Sequence, residues 1–361
     1  MPRTPLTDEE RRELADIRRF NAEKGSRGWV LAGRELRDTN LAGIELRGAR
    51  LADILLFGVE LSSGRILSSK LEKVDFEGTR LEGATLDGVE FDACTFAGAA
   101  APKATFRDGV LRECRIGPFS CPEAIFENCL FDRCAFVDAN LDMAGFRACR
   151  FNGSSFESCS FSGCRMEDVG LRDSSIKDAT FTGMHGRGLV VTGGSIAEAS
   201  FGKVHYRDMT LKGTALEGVS FASAVLTDLV VTGPKSLAMA FGECRLINLS
   251  ISGGGEGASL SIMRSHAFGL KLSGCRMVEF DLSESEVDGE SVLESLQAGI
   301  CSFQKSRFRG SQIRGLRVSD LLVLSGARFE STRIKGVKYS GKTEVLAEGV
   351  EYVDSDAFPA Q

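Results

Sequence analysis

From Leu41 onward an apolar residue returns at every fifth position. The series opens Leu41, Leu46, Leu51, Leu56, Leu61, Ile66, Leu71 and Phe76. It runs through Phe106, Phe126, Phe146, Phe181 and Phe221 to Ile251 in one phase. Of its 43 positions only Ala101, Cys121, Gly186 and Ser236 are not large and apolar, in a chain that is 43% hydrophobic. The residue two before each central one is small or apolar, as at Ala49, Val74, Ala84, Cys94, Cys114, Ala124, Cys134 and Ala144. The other three positions are polar, charged or Gly.

Period five fits neither a helix at 3.6 nor a strand at 2. A chain that turns two of every five residues inward must bend every five residues. Four bends close a square coil of about 20 residues, and coils stack by backbone hydrogen bonds at about 4.8 Å. Units such as Ala139-Asn140-Leu141-Asp142, Val74-Asp75-Phe76-Glu77-Gly78, Ala84-Thr85-Leu86-Asp87-Gly88 and Thr79-Arg80-Leu81-Glu82-Gly83 resemble the pentapeptide-repeat family. The resemblance covers about residues 39–339. It implies an all-β solenoid, a right-handed quadrilateral β-helix of roughly 15 coils, with a length of about 70 Å at the strand spacing.

The expected organisation is an N-terminal helix and cap over 1–38, the β-helix over 39–339, and a C-terminal tail or cap over 340–361. Thr7-Asp8-Glu9-Glu10 is a capping-box sequence that opens a helix from Asp8 to about Glu23. Leu14, Ile17 and Phe20 fall near one face of it, which with Trp29 would lid the first coil. Val345, Leu346, Val350 and Tyr352 would cover the last. The phase shifts near 252–261, 293–302 and 324–328, where single extra residues read as bulges or short loops.

The chain has 361 residues and a formal net charge of −6. That balance disfavours direct nucleic-acid binding. No apolar run is long enough to cross a membrane. The polar, acidic start has no secretory pattern, so the eleven Cys read as reduced thiols in a cytoplasmic protein. All eleven fall on inward positions and read as packing residues. There is no GxSxG, P-loop or HExxH motif, and only three His. Catalytic, cofactor-binding and metal-ligating residues are therefore assigned to none, and no enzyme is expected.

Candidate partner-binding residues come from outward columns read every 20 residues. Asp87, Arg107, Glu127, Arg147, Glu167, Arg187 and Arg207 form a column of alternating sign that breaks at its end. There Arg187 and Arg207, beside His185 and His205, make a small basic patch. A second group, Asp75, Glu77, Asp138, Glu157, Asp178, Glu198 and Glu217, makes an uneven acidic face interrupted by Arg115, Lys177 and Lys235. The expected function is a non-enzymatic bacterial scaffold that binds another protein along a flat face, monomeric or homodimeric, as in secretion-linked accessory or effector proteins. One branch of the family implies an alternative, an acidic DNA mimic that binds DNA gyrase or topoisomerase IV and protects it from poisons. A continuous acidic stripe would favour the mimic, and mixed ladders the scaffold.

Overall fold

The structure is a computed structural model that describes residues 3–12, 14–15, 29–254 and 257–359. It divides into two compact units, Met1–Thr180 and Phe181–Gln361. Each is a parallel β-solenoid of the right-handed, four-sided kind, with about 16 turns in all.

In the first unit the pairing offset is 20 residues. Lys70–Glu72, Glu90–Asp92, Val110–Arg112, Leu130–Asp132 and Arg150–Asn152 pair in succession on one face, with Leu71, Phe91, Leu111, Phe131 and Phe151 in register. Thr85–Asp87, Thr105–Arg107, Ile125–Glu127 and Gly145–Arg147 do the same on the next. The third face holds Ala135–Val137, Ser155–Glu157 and Ser175–Lys177. The fourth is held by single bridges, from Asn40 with Glu60 to Ser160 with Thr180.

Stacking at the strand spacing turns each central column into a ladder of rings. Phe106, Phe126 and Phe146 stack at 4.8 and 4.9 Å, and Phe131 lies on Phe151 at 4.5 Å. In the second unit Phe181, Phe201, Phe221 and Phe241 stack at 4.5, 4.7 and 5.0 Å. The strand spacing thus sets the ring spacing, at a distance favourable to offset aromatic stacking. Small inward residues also satisfy the corners. Ser154 Oγ donates to Phe131 O and accepts from Cys134 N–H. Cys134 Sγ reaches Leu111 O at 3.4 Å. All eleven cysteines are free and buried.

Most bends place a residue at positive φ two after the central one, for example Asn128 at 54° and Gly153 at 55°. Asn, Asp and Gly tolerate this region best. Gly117 is obligatory for another reason: a Cβ there would lie 1.7 Å from Val137 O.

The solenoid starts earlier than the pattern suggested. Leu31 pairs with Leu51 and Leu36 with Leu56. The bulky Trp29 occupies the usual small-residue position and is 2% exposed, which disguises the unit. Thr4–Pro5 pairs in parallel with Arg34 and Glu35. Residues 8–12 and 14–15 are helical and Leu14 is buried. The capping box forms: Glu10 accepts from Thr7 N–H at 2.8 Å, and Thr7 Oγ1 accepts from Glu10 N–H at 3.2 Å. Ile17, Phe20 and the rest of the expected helix lie outside the described residues.

The register shifts need correction. Ser236 is not central: Leu237 takes that place opposite Leu216, with a bulge before Met239 restores the offset. The offset then becomes 21 at Phe241 with Ile262, as expected, and residues 258–261 of the 252–261 segment already belong to the strand Ala258–Met263. The second shift precedes Leu293, which is buried and pairs with Leu272, whereas Val292 is half-buried. The third lies between Val318 and Leu322, ahead of 324–328. Neighbouring apolar pairs, Val292-Leu293 and Leu322-Val323-Leu324, hide which member faces in. Past 339 the strands Glu344–Leu346 and Glu351–Val353 continue the pairing with Arg317–Val323 and Arg328–Glu330.

The last described turn is covered by Phe358, whose ring lies 5.4 Å from Phe329 and 6.2 Å from Phe303. Phe358→Ala should uncover that turn. Amide exchange in Glu344–Leu346 and Glu351–Val353 is expected to rise at least tenfold, while the first unit is unchanged. Equal exchange in both proteins would show that Phe358 caps nothing.

Candidate functional site

The faces of the first unit carry ion pairs one coil apart. Arg65 meets Glu45 at 2.8 Å, Arg80 meets Glu60 at 2.6 Å and Arg133 meets Glu113 at 3.1 Å. Glu127 takes Arg107 at 3.2 Å on one side and Arg147 on the other. Asp87 is in register with Arg107, and Arg147 with Glu167. Exposed pairs of this kind contribute about 0–1 kcal/mol each. Their main effect is to fix register, since a slip would place like charges opposite one another.

The expected acidic residues do not form a stripe. One column reads Glu77, Ala97, Gly117, Val137, Glu157 and Lys177, and Glu157 pairs with Lys177 at 3.6 Å. Asp75 accepts from Thr95 Oγ1 at 2.7 Å and faces Arg3 at 3.8 Å. Asp138, Asp178 and Glu198 sit at bends with φ of 52°, 53° and 49°. Asp178 also meets Lys177 at 3.6 Å. Glu217 accepts from Ser236 Oγ at 3.1 Å. These acids are spread among small residues and local partners.

The expected basic patch does come together in the second unit. His185 stands in register with His205 and Arg187 with Arg207, all four exposed. A larger basic region escaped the column reading. Residues 304–342 hold ten Lys and Arg against two acids, whereas 343–356 hold five acids and no base. A running charge sum would have found it; columns counted at a strict 20 miss it, because the offset there alternates between 20 and 21.

Three of these cations, Arg307, Arg309 and Arg328, converge on Glu330 at 2.6, 3.4 and 2.5 Å. Hydrogen bonds from Arg307 and then Arg328 hold the Glu330 carboxyl below its ordinary value. Four of the others flank one bend. Arg314 is in register with Lys335, and Arg317 with Lys338. Beside the second pair runs a shallow groove of about 390 Å³, lined by Arg276, Gln297, Gly299, Arg317, Ser319 and Lys338.

One group among the described residues could hold a cation. His266 Nε2 lies 3.0 Å from Asp288 Oδ2, and with Glu286 the three ligand atoms fall within 4.8 Å of one another. Two of the three residues are exposed, and the contact is a charge-assisted hydrogen bond as it stands. All eleven thiols are buried, away from solvent. Burial pushes Cys159 up to about 11 and Cys164 up to about 12.

A family model described as pentapeptide repeats (8 copies) matches residues 69–108, and one described as pentapeptide repeat region matches 124–201. The chain is a pentapeptide-repeat protein. The matched segments lie where the offset is an unbroken 20. Among solved structures, HetL, a pentapeptide repeat protein involved in heterocyst differentiation regulation from the cyanobacterium Nostoc sp. strain PCC 7120, is 16% identical. That match covers 59% of this chain and 92% of HetL, with a TM-score of 0.37. Full-length QnrB1, a plasmid-mediated fluoroquinolone resistance protein, is 16% identical over 54% of this chain and 92% of its own, with a TM-score of 0.21. A tailspike protein of E. coli bacteriophage HK620 is 13% identical over 98% and 76%, with a TM-score of 0.37. No curated protein matches the chain. No helix among the described residues is long and apolar enough to cross a membrane.

Proposed function

We propose that this pentapeptide-repeat protein is a non-enzymatic scaffold that binds another protein along its solenoid faces. The observation that carries this reading is the charge pattern. Ion pairs one coil apart recur through the first unit, where the stacked Arg50 and Lys70 continue to Glu90; in the second the like charges Arg187 and Arg207 stand in register and continue to Thr227. A like-charge pair costs stability unless a ligand of opposite sign offsets it. Solenoid faces offer long surfaces for such a ligand. The buried free thiols suit a reducing, cytoplasmic setting.

The second reading is the DNA mimic that acts on gyrase or topoisomerase IV. It comes from the resemblance of the repeats to that branch of the family. The acidic columns are interrupted too often for duplex DNA, which carries a charge about every 1.7 Å. Titration into a DNA gyrase supercoiling assay, with and without a cleavage-stabilising poison, separates the two. The scaffold reading expects no inhibition and no rescue at large excess. Inhibition or rescue at micromolar protein would put the mimic in its place.

A further inference from the structure

We propose that the basic bend of the second unit, Arg314, Arg317, Lys335 and Lys338 with Arg276 beyond them, binds an extended acidic polypeptide segment. This deepens the protein-binding reading and rests on it. The first observation is a concentration of stacked positive charge. Other stacked cations end at an acid, as Arg50 and Lys70 do at Glu90 and Arg307 and Arg328 at Glu330, or form a single pair, as Arg187 and Arg207 do before Thr227. At this bend two like-charge pairs lie side by side, Arg314 with Lys335 and Arg317 with Lys338. All four are exposed. Among the described residues Arg314 bonds Gln312, and no carboxylate forms an ion pair with any of the four. Glu294 is in register with Arg314 but does not reach it as an ion pair.

The second observation is the groove. The column Arg276, Gln297, Arg317, Lys338 runs along it in register. Gly299 lines it without a side chain, packed against the Val278 carbonyl and the Asp320 carboxylate: a Cβ there would lie 2.8 Å from Val278 O and from Asp320 Oδ2. Three coil steps carry Arg276 to Lys338 over about 14 Å. In an extended chain, carboxylates at i, i+2 and i+4 span about the same distance. An acidic strand lying along the solenoid axis therefore meets a cation, an amide and two further cations in turn.

A long polyanion fits less well. The next turn presents Glu344, Glu348, Glu351, Asp354 and Asp356, which would repel phosphates continuing past the bend. No exposed aromatic ring stands in the groove to stack a base, and the half-buried Tyr339 already donates its hydroxyl to Pro359 O.

The test is fluorescence anisotropy of the full chain with a labelled decapeptide of alternating glutamate and alanine at low salt. A lysine–alanine decapeptide and a 20-base-pair DNA serve as comparators. The variant Lys335→Glu/Lys338→Glu places opposite charges beside Arg314 and Arg317. It is expected to bind the acidic peptide at least tenfold more weakly while melting at or above the parent temperature. Lys203→Glu, on another face, should bind as the parent does. Equal affinity in the double variant overturns the proposal. So does preferential binding of DNA that the double variant loses, which would assign the bend to nucleic acid. Failure here with no effect on gyrase leaves the scaffold reading standing and removes only this site; an effect on gyrase removes the scaffold reading whatever the peptide does.

Discussion

Phe131→Ala is expected to destabilise the first unit by about 3–5 kcal/mol, toward the upper end for a buried ring. Phe131 is 1% exposed. Its ring stacks on Phe151 at 4.5 Å and meets Phe126 and Phe136 edge-on or tilted at 5.9 and 5.6 Å. The site has little means of closing over the cavity. Leu130 N–H is tied to Gly109 O at 2.9 Å and Arg133 N–H to Asn152 O at 2.8 Å, so the coils above and below fix the backbone. Urea unfolding of parent and variant measures the loss, and Phe131→Leu should cost much less, about 1 kcal/mol. In a repeat protein the damage stays near its source. Amide exchange should therefore accelerate across Val110–Asn152 before it does elsewhere in the unit. A loss below 1 kcal/mol for the alanine variant would mean that the ring ladder is not what holds the coils.

The repeat was legible because burial has a fixed period wherever the offset is constant. From Leu41 to Phe221 the inward series and the observed register coincide. Legibility fails where the chain inserts a residue. Leu237 displaces Ser236, Leu293 displaces Val292, and Leu322 and Leu324 flank Val323. In each case adjacent residues compete for one inward place, and only the partner coil decides. The same shifts scrambled the outward columns. His185 and His205, in the unshifted part, were found together. Arg317 and Lys338, 21 apart, fall in different columns of a 20-residue count.

The acids mark a second limit. Asp138, Asp178 and Glu198 look like a charged face in a list of columns, but each sits at a left-handed bend. There the backbone constrains the residue, and Asp is among the types that accept it. Composition alone cannot separate an acid placed for a partner from one placed for a turn.

The inward thiols lead to the other large effect, unfolding in alkali. Burial raises Cys159 and Cys275 to about 11 and Cys164 to about 12, from an ordinary 9.0. Burial likewise raises Cys301 and Cys121. A thiol whose value is higher folded than unfolded keeps its proton in the folded chain and loses it in the unfolded one between these two values. Its contribution is complete below about pH 9 and declines as pH rises toward the folded value. At 1.36 kcal/mol per unit, Cys159 and Cys164 together should remove roughly 5 kcal/mol by pH 11, comparable to the stability of a whole domain. Under reductant, the parent is expected to lose its β-sheet circular dichroism between pH 9 and 11, with thiolate absorbance at 240 nm rising in the same transition. Cys159→Ala/Cys164→Ala should move the midpoint to higher pH even though it removes two buried side chains. Thiolate absorbance that rises while the sheet signal holds would mean that these sulfurs ionise inside the folded coil, and the burial argument would fail.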